Sequence, residues 1–418
     1  MNENDRRITA FVMLGHAMFH TYELVIPIFA AIWLDAFGTT EAVLGVVLGT
    51  SYALTGVGAL PSGILADRFS SKRLIVACLV GMGGAFALVS VATNVVVVAV
   101  ALLLWGAAAS LYHPAGLALI SRGASERGTA FAYHGAAGNV GVATGPLLAA
   151  VLLVFLGWRT VAAVLVVPVV LVTGLALQLE FDETAGSDAR NGEDGAGEAA
   201  DSSRGQVGSL AELRRNTTVL FTGGFSLVFI VGILYGVYYR GAFTFLPEIL
   251  AGVPLFEPVS LFDRTFEPSQ YVYSGLLLLG GVGQYAGGKL VDRIQAEYTL
   301  VGADVALVLV ALAFIPATTG GLAPLLVVAG LLGFLVFMVA PINQEVISQY
   351  VPADVRGLSF GYTYTGIFGV GALGATLSGV VLSRWSPAVL FMVLAGVAGA
   401  AALVAAVLLS RWRRAGEG

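Results

Sequence analysis

The stretch Gly63-Ile64-Leu65-Ala66-Asp67-Arg68-Phe69-Ser70-Ser71-Lys72 decides the fold, because its opening pattern returns as Gly288-Lys289-Leu290-Val291-Asp292-Arg293. Each copy ends one apolar run and precedes another. Working outward, Pro114 and Ile120-Ser121 match Pro341 and Ile347-Ser348 at the same spacing, and each pair is followed by a turn ending Arg-Gly, Arg127-Gly128 and Arg356-Gly357. Two copies of one unit, each built from several apolar runs, account for this repetition.

The runs themselves are helices of membrane length. Spanning about 30 Å of hydrocarbon takes about 20 mostly apolar residues. The pattern predicts helices over 8–34, 42–66, 74–93, 95–121, 129–156, 160–179, 218–247, 270–291, 299–317, 323–349, 357–382 and 388–410. Composition agrees: 57% of the 418 residues are hydrophobic and 11% charged, whereas soluble domains carry about 25% charged residues. A water-soluble protein is excluded. The expected fold is an all-α integral membrane protein of 12 transmembrane helices in two pseudo-symmetric six-helix bundles. The first run is longer than a signal peptide and lacks a small-residue cleavage site, so it reads as a retained helix.

Between the bundles, residues 180–217 hold nine carboxylates against four arginines, a net −5 that equals the net charge of the chain. Their Gly, Ala, Ser and acid content predicts a flexible cytoplasmic linker, with helical character only over Ser209 to Arg215. The domains are therefore 1–179, 180–217 and 218–418. With the N-terminus inside, 17 of the 21 Lys and Arg fall on the cytoplasmic side, leaving Arg159, Arg264 and Arg384 outside and Arg240 in or near a span. That asymmetry places both termini in the cytoplasm of a multi-pass protein of the cell membrane.

Duplicated six-helix units resemble the major facilitator superfamily over essentially the whole chain. The motif that carries the likeness is the loop at Gly63, Asp67, Arg68 and Lys72, with Ser70 and Ser71 where the family has glycine and arginine, and its echo at Gly288, Asp292 and Arg293. The resemblance implies a cytoplasmic latch in which Gly63 permits close helix approach and Asp67 sits against the N-terminal end of the eleventh helix. Gly141, Gly145 and Pro146 are similar to the fifth-helix motif of proton-coupled antiporters, although Ala149 and Ala150 stand where that motif has glycines. Together with Tyr112-His113-Pro114-Ala115-Gly116 this looks like the fosmidomycin-resistance branch of exporters, without the fourth-helix arginine of drug antiporters, since Leu102 stands there. The resemblance implies alternating access around a site near the bilayer midplane.

Ionisable groups inside spans cost about 2.5–3.5 kcal/mol each on insertion scales, so each is a functional candidate. His16, His20 and Glu23 fall at i, i+4 and i+7 on one stripe of the first helix. The family's cavity helices add His113, Arg240, Asn343 and Glu345. The expected protonation site is Glu23 with His20, lined by His16 and His113. His134 reads as a ring bonded to backbone, Arg240 either as an anion-binding group in the cavity or as a snorkelling residue at the outer surface, and Glu345 as a gate partner near the inner end of its helix. Glycines at 135, 138, 141 and 145, and at 361, 366, 369, 371, 374 and 379, predict close packing between the two halves.

The function that follows is secondary transport, as proton-coupled export of a small amphiphilic or anionic compound. A symporter or uniporter for an organic anion is the close alternative. No G-x-x-x-x-G-K-[ST] motif supports an ATP-driven pump. A membrane metalloenzyme has only the His16-x-x-x-His20 pair in its favour, and a non-transporting sensor only the acidic linker. The lone Cys78 excludes a disulfide or thiolate framework. No enzyme activity, cofactor, metal or nucleic acid is expected; the partners are the lipid bilayer, a small-molecule substrate and protons, with the chain a monomer.

Overall fold

The computed structural model describes residues 1–186, 210–222, 224–351 and 356–416. Among the described residues twelve long helices follow one another: α1 Glu3–Phe37, α2 Glu41–Ala66, α3 Ser71–Ser90, α4 Val95–Gly123, α5 Arg127–Phe155, α6 Trp158–Gln178, α7 Phe225–Phe243, α8 Pro268–Val291, α9 Ala296–Thr319, α10 Leu322–Tyr350, α11 Gly361–Leu382 and α12 Pro387–Arg414. Among the described residues, eleven of these are both long and apolar enough to cross a membrane. The exception is α8, whose 24 residues are diluted by six glycines, Gln270, Gln284 and Lys289. Two short strands, Val259–Leu261 and Arg264–Phe266, form a hairpin before α8. Phe262 and Asp263 take positive φ at its turn, the conformation that a tight two-residue hairpin demands.

The chain divides into two compact units. One comprises 1–39, 50–202 and 260–266; the other comprises 40–49, 203–259 and 267–418. In the first, α1 starts on an Asn2 cap whose side chain accepts the Asp5 amide and ends on Gly38 at φ 56°, the left-handed stop that glycine tolerates. The buried Asp5 carboxylate in turn accepts the amides of Ser125 and Glu126 at 2.9 and 3.0 Å. A negative charge thus satisfies the orphan donors at the start of α5.

Glycines fix which helices pair. A Cβ at Gly141 would lie 2.2 Å from the Ala17 carbonyl oxygen, and one at Gly145 would lie 2.7 Å from the Thr21 Cα, so α5 lies directly on the backbone of α1. In the second unit, Gly236 and Gly374 set α7 on α11 in the same manner, with a Cβ at Gly374 reaching 2.1 Å from the Val237 carbonyl oxygen. The expectation that these stripes pack between the halves holds at Gly379, whose Cβ would lie 2.2 Å from the Glu41 carbonyl oxygen at the start of α2, and is corrected for the others: Gly138, Gly141 and Gly145 face α1 of their own unit, and Gly366, Gly371 and Gly374 face α7 of theirs. Small residues at matched heights remove the side-chain cushion, so two helices of one bundle satisfy each other.

The linker reading is also corrected over its first residues. Glu183 accepts the amides of Ser71 and Lys72 at 2.7 and 3.4 Å and the Ser70 hydroxyl, capping α3. Lys72 donates to the Leu179 carbonyl and lies over the Phe181 ring, while Arg7 donates to the Glu180 carbonyl at 2.9 Å and Asn4 to the Asp182 carbonyl at 3.0 Å. These side chains come from the starts of α1 and α3, where backbone amides and cations await an anionic partner, and the acidic segment 180–186 supplies it. Residues 187–209 lie outside the described residues; Leu210–Phe221 is a helix.

Candidate functional site

The site grows from the stripe on α1. His16, His20 and Glu23 project from successive turns of one face, and in a largely buried stretch of helix each needs a polar partner. They find one another. His20 Nδ1 lies 2.7 Å from Glu23 Oε2, His20 Nε2 lies 3.1 Å from His16 Nε2, and His16 Nδ1 lies 2.7 Å from the His134 carbonyl oxygen. Glu23 is 2% exposed and His20 18%, so this line of contacts is shielded from bulk solvent over most of its length.

Hydrogen accounting shows what the line holds. The His134 carbonyl only accepts, so His16 Nδ1 donates. Each of the other two contacts needs one hydrogen between its paired atoms. Three contacts with three hydrogens make Glu23, His20 and His16 together electrically neutral: a carboxylate with one imidazolium, or a carboxyl with two neutral rings. One hydrogen can therefore sit on any of three groups by shifting along existing contacts. Remove it, and two nitrogen lone pairs face each other at 3.1 Å.

Neighbouring elements fix the rings. The helical path of α4 is interrupted between Ala109 and Tyr112, just before Pro114, which lacks an N–H. The interruption delivers Tyr112 and His113. The Tyr112 hydroxyl donates to the Val12 carbonyl, and its ring lies nearly parallel to His16 at 5.5 Å. His113 stands edge-on to His16 at 5.3 Å and to Phe19 at 4.7 Å. One donor atom from each of His16, His20 and His113 falls within 4.8 Å of the others. Space for this crowd comes from two absent side chains: a Cβ at Gly15 would meet Tyr112 at 2.6 Å, and one at Gly138 would meet His16 at 2.5 Å.

His134 belongs to the cluster, contrary to the expectation that its ring bonds backbone. Its ring stacks on His16 at 3.8 Å and 10°, and its Nε2 is buried without a hydrogen-bond partner among the described residues. Its place on α5, one turn before the ring-clearing Gly138, was the available signal.

The other expected residues belong to the second unit. Arg240 is 4% exposed and lies 5.2 Å over the Tyr239 ring, buried in protein and not snorkelling at a surface. Asn343 is buried with neither side-chain amide atom hydrogen-bonded among the described residues, and Glu345 accepts from Gln349 at 2.8 Å. Two acids escaped the sequence reading. Asp304 in the middle of α9 is 1% exposed with Oδ2 unpartnered among the described residues, and Glu297, two turns earlier, accepts the Tyr350 hydroxyl at 2.8 Å. Asp304 is legible as a lone carboxylate inside the apolar run 299–317.

The repeated loops lie open among the described residues. A Cβ at Gly63 or Gly288 meets nothing within 4 Å among the described residues. Arg68 and Arg293 are exposed, and Asp292 pairs with Lys289 at 3.5 Å in the open, a contact of little energy. Asp67 is on the helical turn Ala59–Arg68; its side chain lies outside the described residues.

Comparison with known proteins identifies the family of the chain. The family model described as Major Facilitator Superfamily matches residues 9–375. A protein of Planococcus maritimus named a Na(+), Li(+), K(+)/H(+) antiporter is 32% identical over 180 residues, which is 41% of this chain and 42% of that relative. A Mycobacterium tuberculosis protein named a multidrug resistance protein B homolog is 26% identical over 156 residues, 37% of this chain and 29% of the relative. The chain thus spans less than half the length of these curated relatives. The solved nucleoside transporter NupG superposes with a TM-score of 0.70 at 11% identity, covering 98% of this chain and 99% of that one. A bacterial homologue of the human lysosomal transporter Spinster gives 0.71 at 13%, covering 98% and 96%. At such identities the likeness is one of fold.

Proposed function

The chain belongs to the Major Facilitator Superfamily and is a multi-pass membrane transporter; from that premise we propose that it works by alternating access and exports a small amphiphilic or anionic compound in exchange for protons. The observation that carries the coupling is the unbroken line Glu23–His20–His16–His134, whose three contacts hold three hydrogens. A carrier of protons needs a group that gains and loses one hydrogen without leaving a bare charge in the membrane, where ionised groups are costly. In this line the charge is shared by groups already in contact. The antiporter and multidrug names of two relatives support exchange and export. Arg240, Asn343 and Glu345 then contact the anionic or polar part of the compound, Asp67 and Asp292 act in the latch, and both termini face the cytoplasm.

The test uses everted membrane vesicles in which respiration builds a pH gradient reported by acridine orange. Organic anions, lipophilic cations and Na+, K+ and Li+ salts are added in turn. An exported compound dissipates the gradient with the wild-type chain and not with Glu23→Gln, whose amide cannot take up the mobile hydrogen. Transport that ignores the gradient, or that keeps its gradient dependence in Glu23→Gln, overturns the coupling.

A further inference from the structure

We propose that His16, His20 and His113 form a binding site for a divalent transition-metal ion such as Zn2+, which replaces the hydrogen shared between His16 and His20. The inference rests on the preceding reading of that edge as the seat of the exchanged proton, and adds a second ligand class for the same atoms.

Three features of the geometry point to a metal. The first is convergence, since one ligand atom from each of three imidazoles lies within 4.8 Å of the other two. The second is spacing. His16 Nε2 and His20 Nε2 are 3.1 Å apart, close to the edge of a tetrahedron around zinc, on the order of 3.3 Å for Zn–N bonds of about 2.0–2.1 Å. The third is the surrounding hydrogen bonds. A metal-bound imidazole almost always donates its other N–H to a carbonyl or a carboxylate, which fixes the tautomer and the ring direction. His16 Nδ1 meets the His134 carbonyl and His20 Nδ1 meets the Glu23 carboxylate, both at 2.7 Å. Both Nδ1 positions are thus occupied by acceptors, which leaves the two Nε2 atoms as ligands once the hydrogen between them is lost.

His113 comes from a different helix, and the interruption in α4 that presents it also turns it edge-on to His16 at 5.3 Å. Three nitrogen ligands leave a fourth position for water or an anion. The exchange balances: the metal enters as a dication, the hydrogen between the two Nε2 atoms leaves as H+, and Glu23 remains a carboxylate bonded to His20 Nδ1–H. The i, i+4 pair in the sequence shows two ligands; the third comes only from the fold.

The experiment titrates the purified full-length chain in nanodiscs with Co2+ and with Zn2+, with no pH gradient present. One Co2+ per chain with the intense visible bands of a tetrahedral ion is expected, displaced by Zn2+ and accompanied by release of one proton. Glu23→Gln is expected to weaken binding about 10–100-fold, the usual effect of losing a partner of a ligating histidine. His113→Cys should keep Co2+ and add a sulfur-to-cobalt charge-transfer band, a readout that a purely structural role for His113 does not produce. Octahedral spectra, or Co2+ bound by His113→Cys without the sulfur band, overturn the site, as does wild-type protein that binds no metal while its melting curve shows it folded. Metal binding by a chain whose vesicles show no proton coupling overturns the coupling and leaves the metal site standing; intact coupling without metal binding does the reverse.

Discussion

Substituting Gly141 by alanine tests whether the contact of α1 with α5 holds the proton line together. The new Cβ would sit 2.2 Å from the Ala17 carbonyl oxygen and 2.9 Å from its carbonyl carbon. Backbone atoms in mid-helix do not rotate aside, so the helices must part until the contact reaches the ordinary range that begins at 3.4 Å, a shift of about 1.2 Å. Two turns away along α5, the 2.7 Å bond from His16 to the His134 carbonyl would stretch by a similar amount to about 3.9 Å, outside hydrogen-bond range. Overpacking of this kind costs about 1–3 kcal/mol, and at about 2–4 °C per kcal/mol for a unit of this size the melting temperature falls by about 2–12 °C. Gly135→Ala on the same helix is the control, since its Cβ meets nothing within 4 Å. Melting curves in detergent and the acridine-orange assay are run on both. Unchanged stability and coupling in Gly141→Ala, or equal losses in both variants, refute the argument.

Two further outcomes follow from the acidic segment. Glu183→Ala removes the acceptor of the Ser71 and Lys72 amides and should destabilise the start of α3 by about 0.5–2 kcal/mol, read as a lower melting temperature and faster deuterium uptake at those two amides. The backbone N–H and hydroxyl of Thr184 both donate to the Asp182 carboxylate at 2.7 and 2.8 Å and hold its pKa below the usual value. A carboxylate depressed in the folded state stabilises above its unfolded pKa of about 3.9 and loses that contribution as pH falls through the folded value. Protease nicking at 182–186 should therefore rise only on strong acidification, and at a less acidic pH in Thr184→Val; a nicking profile identical in the two chains refutes the assignment.

The sequence makes one helix face legible and leaves the meeting of faces obscure. Twelve apolar runs, the stripe His16, His20, Glu23 and the duplicated loops are all readable because each depends on spacing along one helix. The His134 ring, in contrast, enters the cluster because Gly141 and Gly145 set α5 on the α1 backbone at one register and Gly138 clears room for His16. No periodicity within α5 carries that register. The anchored segment 180–186 was hidden by composition: acid-rich residues read as solvated until the amides of α3 and α5 are seen to need carboxylates, which Glu183 and Asp5 provide.

The neutrality of the Glu23–His20–His16 line also has an electrical consequence. In the proposed cycle the loaded line crosses the membrane field as an uncharged object, so voltage does no work on it. The emptied line carries −1, and moving one elementary charge through 100 mV is worth about 2.3 kcal/mol. Voltage would then act on the step in which the deprotonated line carries the compound and leave the charge of the line out of the protonated step, so turnover limited by the deprotonated step would change with membrane potential even at a fixed pH difference.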